Sequence, residues 1–103
     1  MKNKPKYRLI AYDIKDPKTL QKLNRYLKDI AFSIQYSVFI NKSTLGQIED
    51  VIQDISVIIN PRTDDVRIYT LPDNPEITVL GSNNFPSGVN IFDITPVKFN
   101  HDN

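Results

Sequence analysis

The chain has no cysteine, a single histidine and no apolar stretch approaching the roughly 18 residues that a membrane span needs. Without cysteine there can be no disulfide framework and no thiolate metal site. The same absence fits a reducing compartment, so a cytoplasmic location is expected. The histidine, His101, stands in the polar tail and reads as a solvated end residue, so no imidazole base is positioned for catalysis. The opening "MKNKPKYRLIAYDI" is basic and then apolar. Its apolar run is short, is interrupted by Asp13 and lacks a small-residue cleavage site, so it is not expected to be a secretion signal. What remains is an ordinary globular composition: 103 residues, 40% hydrophobic and 24% charged, enough for one domain with a real core.

Net charge is +1, but it is unevenly spread. Residues 1–42 hold ten of the thirteen Lys and Arg against Asp13, Asp16 and Asp29, a net +7. Residues 43–103 hold Arg62, Arg67 and Lys98 against nine acids, a net −6. Such asymmetry marks a phosphate-facing surface, an oligomer contact, or simply two solvated faces of opposite sign.

Tyr7 to Asp13 reads as a strand, with Leu9 and Ala11 on one face and Ile10 and Tyr12 on the other. A strand apolar on both faces is buried on both. Asp16 and Pro17 then start a helix as cap and first residue. Leu20, Leu23, Leu27 and Ile30 form its apolar stripe. Lys18, Lys22 and Arg25 form a basic stripe on the opposite side. "FSIQYSVFIN" is rich in β-branched and aromatic residues, and Gln35-Tyr36 can break it into two short strands. Thr44 with Gln47 suits a capping box, with Ser43 as the alternative cap, and Leu45, Ile48, Ile52, Ile55 and Ile59 are expected to line the second helix, which Asn60-Pro61 stops. "DVRIYTL" is the last core strand. "EITVL" (Glu76 to Leu80) reads as a short extra C-terminal strand, followed by a Gly- and Pro-punctuated loop and a final extended piece, "VNIF".

The order predicts an α+β, ferredoxin-like β-α-β-β-α-β domain over residues 1–80, with residues 81–103 as an extension that packs on a partner or is partly disordered. Both helices of that plan lie on one face of the sheet. The apolar residues of the other face need a cover, and a second copy of the chain is the simplest one, so a homodimer through the sheet is expected. Of the two acids in "LIAYDIKDP", Asp16 has a cap's place. Asp13, at the end of the central strand, is either paired with loop groups such as Lys15 or is a metal-binding carboxylate facing a twofold axis.

"YDI" closing the first strand, a basic amphipathic helix, "IQYSVFI", a second helix and "VRIYTL" together resemble the small CRISPR-associated endoribonucleases of the spacer-acquisition machinery, the Cas-two family. The similarity runs from about Tyr7 to Leu80. It implies a ferredoxin-like homodimer in which Asp13 of both subunits shares one Mg2+ (or Mn2+) ion. It further implies metal-dependent cleavage of single-stranded RNA or duplex DNA, and a bridging place between subunits of the CRISPR-associated integrase nuclease. Asp13 is then the catalytic and metal-binding residue, and Lys18, Lys22 and Arg25 contact nucleic acid. Tyr12 and Phe39 lie near the site: Tyr12 alternates to the other sheet face and reads as packing unless the strand is bulged, and Phe39 matches a family phenylalanine but reads at least as well as core.

The chain departs from the family pattern in two places. Ser33 stands where a basic residue commonly precedes the "V/I-Q-x-S-V-F" segment, and lysines replace arginines early in the first helix. Lysine lacks the bidentate fork of arginine, which weakens catalysis more than phosphate binding. A non-catalytic DNA-binding scaffold of the same complex, a toxin-type ribonuclease resembling the VapD group, and a regulatory domain without nucleic acid are the alternatives.

Overall fold

The structure is a computed structural model that describes residues 3–78 and 80. Its elements follow the expected order: β1 (Lys6–Asp13), α1 (Pro17–Ile30), β2 (Phe32–Gln35), β3 (Val38–Ser43), α2 (Leu45–Ile58) and β4 (Asp65–Thr70). The sheet order is β2-β3-β1-β4, with β1 antiparallel to both β3 and β4. The ferredoxin-like reading therefore holds, with β1 central.

Local chemistry explains the boundaries. Asp16 caps α1: its Oδ2 accepts from the Thr19 backbone N–H at 2.9 Å and from the Thr19 hydroxyl at 3.1 Å, and Pro17 follows. Thr44 and Gln47 form the reciprocal box at the start of α2, with bonds of 3.2 and 2.9 Å. These contacts satisfy backbone donors that a helix start leaves without partners. The two-strand reading of "FSIQYSVFIN" also holds. The turn sits at Tyr36-Ser37, and Ser37 takes a left-handed φ of 65°.

Both helices cover the same sheet face. Ile10, Tyr12 and Phe39 of the sheet pack with Leu23 and Leu27 of α1 and with Ile48, Val51 and Ile55 of α2. The expected apolar stripe of α1 is realised. On α2, Val51 takes the inward place expected for Ile52, while Leu45 and Ile52 are each 46% exposed. Positions 51 and 52 both satisfy helical spacing from Ile48, so the angle at which α2 meets the sheet decides between them. Arg8 is also buried, and the contacts seen at its guanidinium are hydroxyl and carbonyl oxygens. The group donates to Ser43 Oγ at 3.0 Å, the Ser43 carbonyl at 3.1 Å and Thr70 Oγ1 at 2.7 Å, which supplies the partners a buried cation requires.

The opposite face follows from the register. Across β3, β1 and β4 lie the rows Lys42-Tyr7, Ile40-Leu9-Tyr69, Val38-Ala11-Arg67 and Asp13-Asp65. No helix among the described residues covers these rows. At one end Leu71 and Ile77 pack on Tyr7 and Ile40, and the Leu71 N–H donates to the Tyr7 carbonyl at 2.8 Å. The extra strand expected over Glu76 to Leu80 does not form in the single chain, where residues 76–78 and 80 are not strand. After β4 the chain turns through Pro72, Asp73 and Asn74, and Ile77 meets the sheet with its side chain rather than pairing its backbone with an edge. The expectations for residues 81–103, including "VNIF" and His101, lie outside the described residues.

Candidate functional site

Side chains alternate along β1. Ile10 and Tyr12 point to the helices, so Leu9, Ala11 and Asp13 share the uncovered face. The Asp13 side chain is 71% exposed and lies 3.5 Å from Lys15 Nζ. The pairing with Lys15 that the sequence allowed is therefore present, as an exposed and solvent-screened contact.

More acids gather around it than the sequence revealed. Asp65 is the direct cross-strand neighbour of Asp13, and like charges in that relation repel. Arg67 offsets this by holding both oxygens of Asp65, through Nε at 3.1 Å and Nη2 at 3.2 Å. Asp64 ties the loops together: its Oδ1 accepts from the Lys15 N–H at 3.3 Å and its Oδ2 from the Asn60 N–H at 2.8 Å. Asp64 and Asp65 are thus engaged by the chain's own donors. Among the described residues no group of three His, Cys, Asp or Glu could hold a metal ion. Asp13, 71% exposed and held only by the longer 3.5 Å contact with Lys15, is the more open of the two cross-strand carboxylates. A magnesium ion accepts one or two carboxylates with water and phosphate oxygens completing its shell, so Asp13 from two copies would fit such an ion.

Tyr12 and Phe39 sit behind this surface rather than on it. Both are buried, with ring centroids 6.2 Å apart, and the Tyr12 hydroxyl donates to Asn24 Oδ1 on α1. Burial, reinforced by Tyr36, pushes the Tyr12 phenol above its ordinary pKa, so it stays protonated. The pair braces the strand end that carries Asp13. Asp16 plays its capping part, and the Thr19 N–H holds its carboxyl below the usual range.

Lys18, Lys22 and Arg25 are all exposed, on the side of α1 away from its buried leucines. Tyr36, expected only as part of the break between the two strands, stands out into solvent. It is 85% exposed in the β2–β3 turn, where the Ser37 carbonyl accepts from the Tyr12 N–H at 3.1 Å. Its signal was an aromatic residue placed in a turn, where no core is within reach.

The family model described as "CRISPR associated protein Cas2" matches residues 6–77, from the start of β1 to the segment after β4. The chain belongs to the Cas2 family. It is 41% identical over 85 residues to "CRISPR-associated endoribonuclease Cas2 2" of Thermodesulfovibrio yellowstonii, covering 82% of this chain and 93% of that protein. It is 40% identical over 81 residues to "CRISPR-associated endoribonuclease Cas2 1" of Nitrosomonas europaea, covering 79% of this chain and 77% of that one. The crystal structure of Streptococcus pyogenes Cas2 at pH 6.5 superposes with a TM-score of 0.62 at 29% identity, covering 66% of this chain and 88% of that one. No helix among the described residues is long and apolar enough to cross a membrane.

Proposed function

We propose that this Cas2-family chain is a CRISPR adaptation protein that works as a homodimer, with nuclease activity centred on paired Asp13 carboxylates. One observation carries the reading: Asp13 ends the central strand on the same apolar face as Leu9 and Ala11, opposite the described helices. A dimer formed by stacking that face would bury Leu9, Ala11 and Val38 and bring the two Asp13 side chains near its axis. Acids meeting there repel one another, so the arrangement calls for a cation. Asp13 of each subunit would hold one Mg2+ or Mn2+ ion between them. The chemistry such an ion supplies is polarisation of a phosphoryl oxygen and activation of a bound water.

The chain's own groups do the rest. Lys18, Lys22 and Arg25 hold backbone phosphates without reading sequence. Tyr12 and Phe39 keep the strand end rigid. The relatives' names point to RNA as substrate, and duplex DNA is the second candidate. Membership of the Cas2 family favours adaptation over the toxin-type reading, and with it an integrase nuclease as partner in the cytoplasm.

The scaffold reading has its own support. Lys15 contacts Asp13, and the basic stripe of α1 is suited to clamping a duplex whether or not Asp13 acts in cleavage. Asp13→Ala separates the two. Loss of magnesium-dependent cleavage of RNA and duplex DNA, with duplex binding retained, supports catalysis. Full integration activity in the variant assigns the protein to scaffolding. A single 12 kDa species in gel filtration at low micromolar concentration would overturn the dimer.

A further inference from the structure

A second basic feature lies at the opposite end of β1 from Asp13. Lys4, Lys6 and Lys42 line an open pocket of about 270 Å³ with Pro5, Tyr7, Pro72, Asp73 and Asn74. The Lys42 ammonium rests 5.2 Å above the centre of the Tyr7 ring, a contact that steadies a flexible cation. Lys4 Nζ lies 2.9 Å from Asp73 Oδ2, and Lys6 Nζ lies 3.5 Å from Asp73 Oδ1. The two ammoniums thus grip the two oxygens of one carboxylate, as they would grip two oxygens of a phosphate.

The Lys4 and Asp73 side chains are about half exposed and that of Lys6 is 38% exposed, so the ion pairs are screened and open to a competing anion. Among the described lining residues three ammoniums stand against one carboxylate, an excess of two positive charges. Six residues of strand separate Tyr7 from Asp13, roughly 20 Å at about 3.4 Å per residue, so an anion bound here is not at the Asp13 site.

We propose that Lys4, Lys6 and Lys42 form a phosphate pocket for a nucleic-acid backbone, and that Asp73 is an internal stand-in which the phosphate displaces. The inference rests on the nucleic-acid reading above. It also gives a place to the basic lead-in before β1, which the Asp13 site leaves unused.

Two opposite perturbations of the full chain test it, read by fluorescence anisotropy of a labelled duplex across a salt series. Lys4→Gln, Lys6→Gln and Lys42→Gln together weaken binding. Because each lost duplex phosphate contact removes about 0.9 from the slope of log K against log salt, they also flatten that slope by about 1 or more. Asp73→Asn frees two ammoniums and tightens binding by about threefold or more at low salt. Asp50→Asn, an equal charge change on α2, stays within about twofold because distant exposed charges are screened.

An unchanged salt slope in the triple variant, or equal effects of Asp73→Asn and Asp50→Asn, overturns the pocket while the nucleic-acid reading stands. Failure of the unmodified chain to bind duplex at low salt overturns both. Inorganic phosphate is the separate arm, followed by the ring resonances of Tyr7. If it saturates the pocket while duplex binding is indifferent to the three lysines, the site takes a free anion and the backbone assignment is wrong.

Discussion

Asp13→Asn should separate stability from metal response, and the structure sets the size of each effect. The side chain is 71% exposed and its ion pair with Lys15 is exposed as well, so losing that contact costs at most about 1 kcal/mol. The substitution also relieves repulsion with Asp65 across the β1–β4 pair, which returns about 0.2–1 kcal/mol. The two nearly cancel. About 1 kcal/mol moves Tm by roughly 4–8 °C in a domain of this size, so the variant should melt within about 5 °C of the unmodified chain without metal. An ion held by paired Asp13 carboxylates at about 100 times its Kd adds about 2.7 kcal/mol to the unmodified chain. That corresponds to a rise of roughly 10–20 °C. Differential scanning fluorimetry with chelator, and then with millimolar magnesium or manganese, reads both quantities. Equal metal-induced shifts in the two proteins would show that the ion sits elsewhere. A variant destabilised by more than about 2 kcal/mol without metal would show that Asp13 is structural, contrary to its exposure.

The remaining predictions concern the frame that holds the site. Leu27→Ala, at a fully buried position under the sheet, should cost about 2.7–5 kcal/mol in urea unfolding. Thr44→Ala removes one half of the capping box on α2 and should cost about 1 kcal/mol by the same measurement. Asp16 has a folded pKa below its unfolded value, so its contribution is complete above the ordinary carboxylate pKa and is lost as pH falls through the folded value. Asp16→Asn keeps a capping oxygen but cannot titrate. Its Tm should match the unmodified chain near neutrality and fall less steeply below about pH 5, with the titration of Asp73 common to both proteins.

Much of this protein was legible before folding because the relevant forces are local. Asp16-Pro17 and the Thr44/Gln47 box act within one helical turn, and the apolar stripe of α1 follows from helical spacing alone. Asp13 could be placed at a strand end by the alternation of its neighbours. Glu76–Leu80 shows what local pattern leaves undecided. Its composition suits a strand, but a strand exists only where a neighbouring backbone offers bonds, and in the single chain the turn at Pro72–Asn74 carries it elsewhere.

The amino-acid sequence by itself settled the element order, the caps and the basic side of α1, since each depends on residues within a few positions of one another. Tertiary structure alone decided that Val51 rather than Ile52 enters the core and that Asp65 stands beside Asp13. It alone brought Lys4, Lys6, Lys42 and Asp73 around one pocket. Those relations depend on strand register and helix packing between segments far apart in the chain, and no local propensity encodes them.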